Sequence, residues 1–309
     1  MTQRQSANFS ASVRQRLKDL ARQRHEDFQK TLFRFGVERL LFRLANSTYS
    51  DRFVLKGASL FAIWGQGEMH RATQDVDFLG FGDNEVAGIV TAFRGIAATP
   101  VEPDGLEFLQ DSIRGKTIRA GQAYEGVTIT LVASLGATVI PLQIDIGFGD
   151  AIHPGPIIEN YPTLLAFPAP RVAIYPKETV VAEKFQAMVH LGIANSRMKD
   201  FFDLWTLAVN YAFEGEVLRS AFAATFERRR TLLPVSAPLA LKPDFVDDST
   251  KLAMWRTFLI RLGRRPEELP LTDVAAALTG FLMPPAMAGG GQQPFRATWQ
   301  PKGPWVQDA

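Results

Sequence analysis

Two carboxylates separated by one residue, Asp75 and Asp77, are the side chains whose spacing most directly suggests chemistry in this sequence. Residues two apart on a β-strand point to the same face, so a strand carrying both would hold the carboxylates side by side. Like charges this close repel each other, and a divalent metal is the commonest reason for such a pair. Carboxylate oxygens are hard ligands that suit Mg²⁺ or Mn²⁺. The alternative is a solvated strand end or turn, the usual context of an isolated pair.

The upstream segment Lys56-Gly57-Ala58-Ser59 predicts a tight turn that follows a short strand and opens a helix at Ser59. Glycine lets the backbone come close to a ligand, and the start of a helix offers free N–H groups and a positive dipole end. The segment therefore predicts a phosphate site. A nucleoside triphosphate (NTP) would suit both features, with phosphates at the turn and bridging metals at the carboxylates.

A third carboxylate, Asp145, lies between two isoleucines. Residues 127–133 and 138–148 are rich in β-formers, and the short glycine-containing link between them predicts a hairpin. Its second strand would bring Asp145 into the sheet beside the strand of Asp75 and Asp77. An aspartate at this position could simply end a strand. Its apolar neighbours argue against simple solvation, because a buried carboxylate needs a partner.

The remaining candidates lie on two later helices. The first helix, predicted at residues 178–191, carries Lys184 on its apolar face. A lysine there either extends from the edge of a core into water or reaches a ligand such as a triphosphate. The second helix, at residues 199–211, begins within a charged cluster formed by Arg197, Lys199, Asp200 and Asp203. Asp200 could cap the helix, the basic and acidic groups could pair, or the cluster could contact a nucleotide.

The N-terminal part of the chain is basic. Residues 1–50 contain ten lysines and arginines against four acidic residues, a local charge of +6, whereas the whole chain carries +2. Residues 10–45 predict a helix that is interrupted near Gly36, on which Arg14, Lys18 and Arg22 recur every fourth residue. This basic ridge predicts contact with RNA phosphates. A solvated helix face and a protein-docking surface are the alternatives.

These motifs, in this order, resemble the signature of the AbiEii/AbiGii toxin family of polymerase-β-type nucleotidyltransferases. The matching segments, which cover roughly residues 50–210, are Lys56-Gly57-Ala58-Ser59-Leu60, Arg71-x-Thr73-x-Asp75-x-Asp77, Gln143-Ile144-Asp145-Ile146-Gly147, Glu183-Lys184 and Arg197-x-Lys199-Asp200-Phe201-x-Asp203. Ala58 departs from the pattern, because glycine is usual there. The alanine should narrow the room for phosphate without removing a ligand.

The resemblance implies nucleotidyl transfer, in which an acceptor hydroxyl attacks the α-phosphate of an NTP and pyrophosphate leaves. Asp75, Asp77 and Asp145 would hold Mg²⁺ or Mn²⁺, with one metal lowering the pKa of the acceptor hydroxyl and the other steadying pyrophosphate. Lys184 would join them as a catalytic group that grips the triphosphate. The implied nucleotide-binding residues are Lys56, Gly57, Ala58, Ser59, Arg71, Thr73, Lys184, Arg197, Lys199, Asp200 and Asp203.

Members of the resembled family act as toxins of toxin–antitoxin or phage-defence systems. Some add nucleotides to the 3′ end of tRNA and thereby block translation, and a partner antitoxin is commonly encoded beside them. The resemblance thus implies a tRNA acceptor and a cognate antitoxin. The alternatives are a nucleotidyltransferase that modifies a small molecule or a protein hydroxyl, and a non-catalytic RNA- or protein-binding module. The complete set of three aspartates speaks against the last.

Composition places limits on the class of protein. With 46% hydrophobic and 21% charged residues, the 309-residue chain has the composition of a globular protein. No apolar run approaches the length of a membrane span, and the N-terminus lacks the apolar core of a signal peptide, so a cytoplasmic location is expected. The absence of cysteine excludes disulfides and thiolate chemistry. The oligomeric state is left open.

The predicted fold class is α/β (α+β), with four parts along the chain. A nucleotidyltransferase core around a small mixed sheet is expected at residues 46–175. It is preceded by an N-terminal basic helical segment at residues 1–45 and followed by a C-terminal helical domain at residues 176–283. Residues 284–309 are rich in proline and glycine and predict a flexible tail.

Overall fold

The computed structural model describes residues 3–71, 73–119 and 125–308, and among these it describes no side chains for residues 3–7, 119 and 125. The chain divides into two compact units. The first unit comprises Met1–Gly149 and Pro156–Tyr175, and the second comprises Asp150–Gly155 and Pro176–Ala309.

The first unit is a mixed sheet with helices. Its helices are α1 (Gln3–Gln23), α2 (Phe28–Ala45), α3 (Leu60–Trp64) and α4 (Val86–Ala97). Its strands are β1 (Phe53–Lys56), β2 (Val76–Gly80), β3 (Glu107–Arg119), β4 (Glu125–Leu135), β5 (Thr138–Phe148), β6 (Ile157–Asn160) and β7 (Arg171–Ile174). Among the described residues these strands form one seven-stranded sheet in the order β3-β4-β5-β2-β1-β7-β6. The β2–β5 and β1–β7 pairs are parallel and the others antiparallel, which confirms the predicted α/β class.

The parallel pairing of β2 with β5 sets which side chains meet. In this register Asp77 lies opposite Asp145, and Val76 lies opposite Ile144. Val76 and Ile144 are fully buried, whereas the two aspartates are partly exposed. Because side chains alternate between the two faces of a strand, both aspartates lie on the face opposite to the apolar core.

Helices α2 and α4 pack against the apolar face. Gly36 of α2 lies so close to β5 that a Cβ atom on it would come within 3.2 Å of the Leu142 Cδ2 atom. On α4, the ring of Phe93 lies 5.3 Å from that of Phe53 on β1. A glycine inside α2 therefore serves close helix–sheet packing rather than a break in the helix.

The structure differs from the predicted N-terminal segment in two respects. The helix is interrupted before Phe28 rather than near Gly36, and the side chain of Asp27 caps α2 by accepting a hydrogen bond from the Lys30 N–H at 3.1 Å. Both helices also belong to the first unit. Leu17 of α1 and Leu41 of α2 are fully buried, so each helix contributes apolar side chains to the core of this unit.

Three ionisable side chains of α2, those of Glu38, Arg39 and Arg43, are buried. Arg43 donates to both carboxylate oxygens of Asp104, at 2.7 and 3.2 Å. Glu38, which has no exposed surface, accepts a hydrogen bond from the Leu164 N–H at 2.7 Å and lies 3.1 Å from the Arg39 Nε atom. Burial raises the pKa of the Glu38 carboxyl to about 7, and the charge of Arg39 only partly opposes this shift.

Glu38 should make the stability of the protein depend on pH. Its folded-state pKa of about 7 lies above the ordinary value of 4.5, so the folded protein holds the proton more tightly than the unfolded chain. The free energy of unfolding should therefore fall as pH rises from about 4.5 to about 7, by about 3 kcal/mol. In Glu38→Gln, the decrease in the free energy of unfolding that Glu38 causes between these pH values should disappear. Urea unfolding at pH 5 and pH 8 measures the difference, with the exposed Glu102→Gln as control. An unchanged pH dependence in Glu38→Gln would contradict the assignment.

The second unit is mostly helical. Its helices are α5 (Lys177–Leu191), α6 (Met198–Asn210), α7 (Gly215–Arg228), α8 (Pro243–Val246), α9 (Ser249–Arg261) and α10 (Leu271–Gly290). Its strands β8 (Phe213–Glu214), β9 (Ala297–Trp299) and β10 (Trp305–Gln307) form a small sheet in the order β10-β9-β8 within the described part of the chain.

The C-terminal residues are structured, in contrast to the predicted flexible tail. Helix α10 continues through Pro284 and Pro285. Beyond it, Trp299 donates its indole N–H to the Ala208 carbonyl at 2.7 Å, and Trp305 donates to the Phe281 carbonyl at 2.9 Å. The two tryptophans therefore anchor this part of the chain, because their indole rings add apolar contact and each ring satisfies its single donor.

Among the described residues, the helical stretch Pro266–Gly290 is long and apolar enough by composition to cross a membrane, with a mean hydropathy of 1.3 in its most apolar window. Half of its most apolar window is buried inside the protein. Leu278, Phe281 and Leu282 have no exposed surface. A core helix passes the same test, and these contacts account for its apolar composition.

Candidate active site

Asp75, Asp77 and Asp145 meet at one point of the first unit. One carboxylate oxygen from each lies within 4.8 Å of the others, and all three side chains are partly exposed. Asp77 lies in β2 and Asp145 in β5, whereas Asp75 directly precedes β2. Three carboxylates this close repel one another unless a cation binds between them. The set consists of hard oxygen donors, so it fits Mg²⁺ or Mn²⁺.

Neighbouring side chains orient two of these carboxylates. Thr73 donates its hydroxyl to Asp75 Oδ1 at 2.6 Å. Thr128 of β4 donates to Asp145 Oδ1 at 2.8 Å, and the Gln143 amide donates to both oxygens of Asp145 at 3.3 and 3.2 Å. Such partners fix the direction of a metal ligand. The sequence analysis missed Thr128 as a candidate and took Gln143 only as part of a motif. Counting back along the hairpin would have paired Thr128 with Asp145, as the register shows.

Gly57 lies directly against Asp77. Its φ of +73° is left-handed, and a Cβ atom on it would lie only 2.0 Å from Asp77 Oδ2. Glycine is therefore required for two reasons, backbone conformation and space. Ala58 does not have a left-handed backbone, so the alanine departing from the family pattern is accommodated without strain. Ser59 follows with 3% of its surface exposed.

The helix after this turn is short and begins one residue later than the predicted start at Ser59. Residues Gly57–Ser59 form a 3-10 turn, and α3 begins only at Leu60 and spans five residues. Few peptide dipoles are aligned in so short a helix, so the predicted dipole contribution to phosphate binding is small. The backbone N–H groups at the start of this turn, which have no partner within a helix, are the better candidates for phosphate binding.

A cavity of about 180 Å³ opens beside the turn. Its lining includes three of the predicted nucleotide-binding residues, Ser59, Arg71 and Thr73. Arg34 of α2 also contributes to its wall. Lys56 lies elsewhere, with its ammonium group 5.3 Å from the centre of the Tyr175 ring.

The later predicted residues form an ionic cluster within the second unit. The Lys184 ammonium on α5 lies 2.7 Å from Asp200 Oδ1 and 2.8 Å from Asp203 Oδ2. Arg197 reaches the other oxygen of Asp200 at 2.6 Å. Both carboxylates are buried, and the Lys184 side chain is 13% exposed. Lys199 is exposed. Asp200 and Asp203 therefore bind the Lys184 ammonium and fix its position, whatever further role Lys184 has.

Lys184→Met should destabilise the second unit. The methionine keeps the apolar stem but leaves Asp200 and Asp203 buried without their shared cation. Breaking a buried pair in this way costs about 3–5 kcal/mol. Urea unfolding should show this loss, whereas Lys199→Met, which removes an exposed charge, should change stability by less than about 1 kcal/mol. Equal stability of the two variants would show that the buried cluster contributes little.

The predicted RNA-binding ridge lies on α1. Arg14 donates its Nε–H to the Thr138 hydroxyl at 2.8 Å and its guanidinium lies 5.5 Å from the centre of the Phe28 ring. Arg22 is mostly exposed and lies 3.7 Å from Asp19 Oδ1. Lys18 is partly exposed. Arg14 therefore contributes to packing between α1 and the sheet, and Arg22 is the most open of the three cations.

Comparison with known proteins identifies the family. The model of a family described as nucleotidyl transferase AbiEii toxin of a type IV toxin–antitoxin system matches residues 39–279, which is most of the chain. The chain belongs to the AbiEii family. The match includes all three aspartates and the Lys184 cluster, and it confirms the family resemblance that the motifs indicate. The basic ridge on α1 lies before the matched residues of this AbiEii chain.

Solved structures offer more distant likenesses to this AbiEii protein. JHP933 from Helicobacter pylori is 15% identical with a TM-score of 0.46, and the match covers 86% of this chain and 94% of that one. A candidate nucleotidyltransferase from H. pylori is 16% identical with a TM-score of 0.41, covering 82% and 91% of the two chains. No curated protein gives a significant match. The family assignment therefore depends on the sequence match.

Proposed function

We propose that this AbiEii-family protein transfers a nucleotide from an NTP to an RNA acceptor, the 3′ end of tRNA, and so blocks translation as a cytoplasmic toxin. The observation that carries the proposal is the convergence of Asp75, Asp77 and Asp145 within 4.8 Å beside the Gly57 turn. A cognate antitoxin is the partner that membership of a toxin–antitoxin family supports.

In this reaction an oxygen of the acceptor bonds to the α-phosphorus, the bond to the pyrophosphate oxygen breaks, and the acceptor proton is released. Bound Mg²⁺ or Mn²⁺ would neutralise charge on the attacking and leaving oxygens, held by Asp75, Asp77 and Asp145. Thr128 and Gln143 keep the Asp145 carboxylate in one orientation, and Asp145 can accept the proton. Such catalysis depends mainly on positioning and charge neutralisation.

The phosphate side of the proposed site is the turn at Gly57. Without a side chain at Gly57, the phosphates can approach the turn N–H groups, and Ser59, Arg71 and Thr73 line the adjoining cavity. We keep Lys56, Ala58, Lys184, Arg197, Lys199, Asp200 and Asp203 as proposed nucleotide-binding residues and Lys184 as a proposed catalytic group. We also keep Arg14, Lys18 and Arg22 as proposed RNA contacts.

The test is to incubate the purified protein and Mg²⁺ with each labelled NTP in turn, in separate reactions with deacylated tRNA and with a protein lysate. Label on the tRNA 3′ end that requires Mg²⁺ is the expected result. Label on protein alone would replace this proposal by modification of a protein hydroxyl. No transfer in either reaction would favour a non-catalytic binding module.

A further inference from the structure

The sheet face that carries Asp145 continues beyond the three aspartates onto β4 and β3. On β4, Thr128 lies opposite Asp145, and Thr130 lies opposite Gln143. On β3, Lys116 lies opposite Thr128, and Arg114 lies opposite Thr130. Paired residues of neighbouring strands point to the same side of a sheet. Two rows of polar side chains therefore run from the aspartates towards the edge of the sheet.

This face is open within the first unit. Thr130, Gln143, Arg114 and Lys116 are all exposed. The opposite face is covered, since a Cβ atom on Gly115 of β3 would come within 2.7 Å of Val86 and Val90 on α4. Sequence analysis did not select Arg114 or Lys116, because their positions follow only from the register of β3.

Charge along the face favours a polyanion. Arg114 and Lys116 lie at the aspartate end, and the acidic Glu107 lies farther along β3, opposite Ser134. Arg114 donates to the carbonyls of Asp111 and Ile113 at 2.6 and 3.0 Å, which holds its side chain along β3, and the residue as a whole stays exposed. Two exposed apolar side chains, Leu109 and Val139, lie on the same side of the sheet towards the Glu107 end. A positively charged surface that follows the phosphates is one of the features by which proteins bind single-stranded nucleic acid.

The order of the strands assigns the two sides of the site. β1, which leads into the Gly57 turn, lies on one side of β2, whereas β5, β4 and β3 lie on the other. In phosphoryl transfer the attacking and leaving oxygens lie roughly in line across the phosphorus. With the triphosphate at the turn, the acceptor therefore approaches from the side of β5, β4 and β3.

We propose that this surface, the acceptor face, defined as Arg114, Lys116, Thr130 and Gln143, binds the 3′-terminal single-stranded nucleotides of the RNA acceptor. Arg114 and Lys116 contact its phosphates, and the threonine and glutamine side chains guide the terminal nucleotide to Asp145. The proposal rests on the proposed transfer to RNA and adds where the acceptor binds.

The experiment compares two double variants with equal loss of charge. Arg114→Gln with Lys116→Gln removes both cations of the acceptor face. Arg94→Gln with Arg171→Gln removes two exposed cations elsewhere on the first unit and serves as control. Binding of 5′-fluorescein-labelled deacylated tRNA, without NTP, is measured over a series of salt concentrations. Thermal unfolding verifies that both variants are folded.

Loss of two phosphate contacts should reduce the log–log salt slope by about 1.4 to 1.8, and the control should keep the slope of the unchanged protein. In transfer assays the KM for tRNA should rise while the KM for NTP stays the same. If the variant with Arg114→Gln and Lys116→Gln had the same salt slope and tRNA affinity as the control variant, the acceptor-face proposal would be overturned. Failure of the unchanged protein to bind tRNA would also overturn it.

The two proposals fail in different ways. If tRNA binding depends on Arg114 and Lys116 but no nucleotide is transferred, the proposed reaction is wrong, and the surface keeps only its role in binding tRNA. If transfer to tRNA proceeds equally in both double variants, the reaction stands and the acceptor face is wrong.

Discussion

Asp77→Asn should reduce nucleotide transfer by about a thousandfold or more. The substitution keeps the shape of the side chain and removes one of three charges that lie within 4.8 Å. Metal binding supplies several kcal/mol of charge stabilisation in such reactions, and each 1.36 kcal/mol is a factor of ten in rate. Transfer from labelled NTP to tRNA, per folded molecule, is the measurement. Full transfer by a well-folded Asp77→Asn protein would end the metal-site proposal.

Thermal unfolding offers a second test of the same variant, independent of turnover. In the presence of a chelator, Asp77→Asn should be at least as stable as the unchanged protein, because it relieves repulsion among the carboxylates. Added Mg²⁺ should raise the melting temperature of the unchanged protein by mass action and leave that of Asp77→Asn nearly constant. Asp51→Asn, at an exposed position, is the control and should respond to Mg²⁺ normally.

Gly57→Ala should lower transfer by about a hundredfold. The added methyl group would lie 2.0 Å from Asp77 Oδ2, so the carboxylate must move. A displacement of about 1 Å at a catalytic group can cost a hundredfold in rate. The left-handed backbone adds about 1–2 kcal/mol of strain, which unfolding experiments would detect.

Gly82→Ala separates these two effects. Gly82 also has a left-handed backbone, with φ of +81°, but nothing lies within 4 Å of an added methyl group. This variant should lose a similar amount of stability and keep its transfer rate. If Gly57→Ala retained as much activity as Gly82→Ala, contact with Asp77 would not matter for the reaction.

The sequence predicted the convergence of the three aspartates better than it predicted the residues around them. Asp75, Asp77 and Asp145 could be selected because their types and spacing carry the signal, and the hairpin placed Asp145 on the neighbouring strand. Of the residues that orient the carboxylates, Thr73 and Gln143 lie two residues from the aspartates they contact, whereas Thr128 reaches Asp145 through pairing between strands. Thr128 can be identified as a partner of Asp145 only from the pairing of β4 with β5. Arg114 and Lys116 lie one strand farther away, and an irregularity in the pairing between Leu109 and Arg114 prevents simple counting.

Differences in the fold arise where packing overrides local pattern. Gly36 suggests a helix break, but in α2 it serves close approach to Leu142. Proline and glycine after residue 283 suggest flexibility, yet Trp299 and Trp305 fix that part of the chain. Lys184 was predicted from its place in a motif. Its two buried carboxylate partners come from a different helix, which periodicity within one helix cannot identify.

The parallel pairing of β2 with β5 has a consequence for synthesis of the chain. Asp77 and Asp145, which lie opposite each other, are 68 residues apart (145 minus 77) in sequence. Contacts between such distant residues form only after the intervening chain has been made and closed into the sheet. A nascent polypeptide that has not yet been extended to β5 therefore contains Asp75 and Asp77 but lacks Asp145. A ribosome producing this protein is consequently not exposed to the assembled carboxylate site until almost half of the chain has been translated.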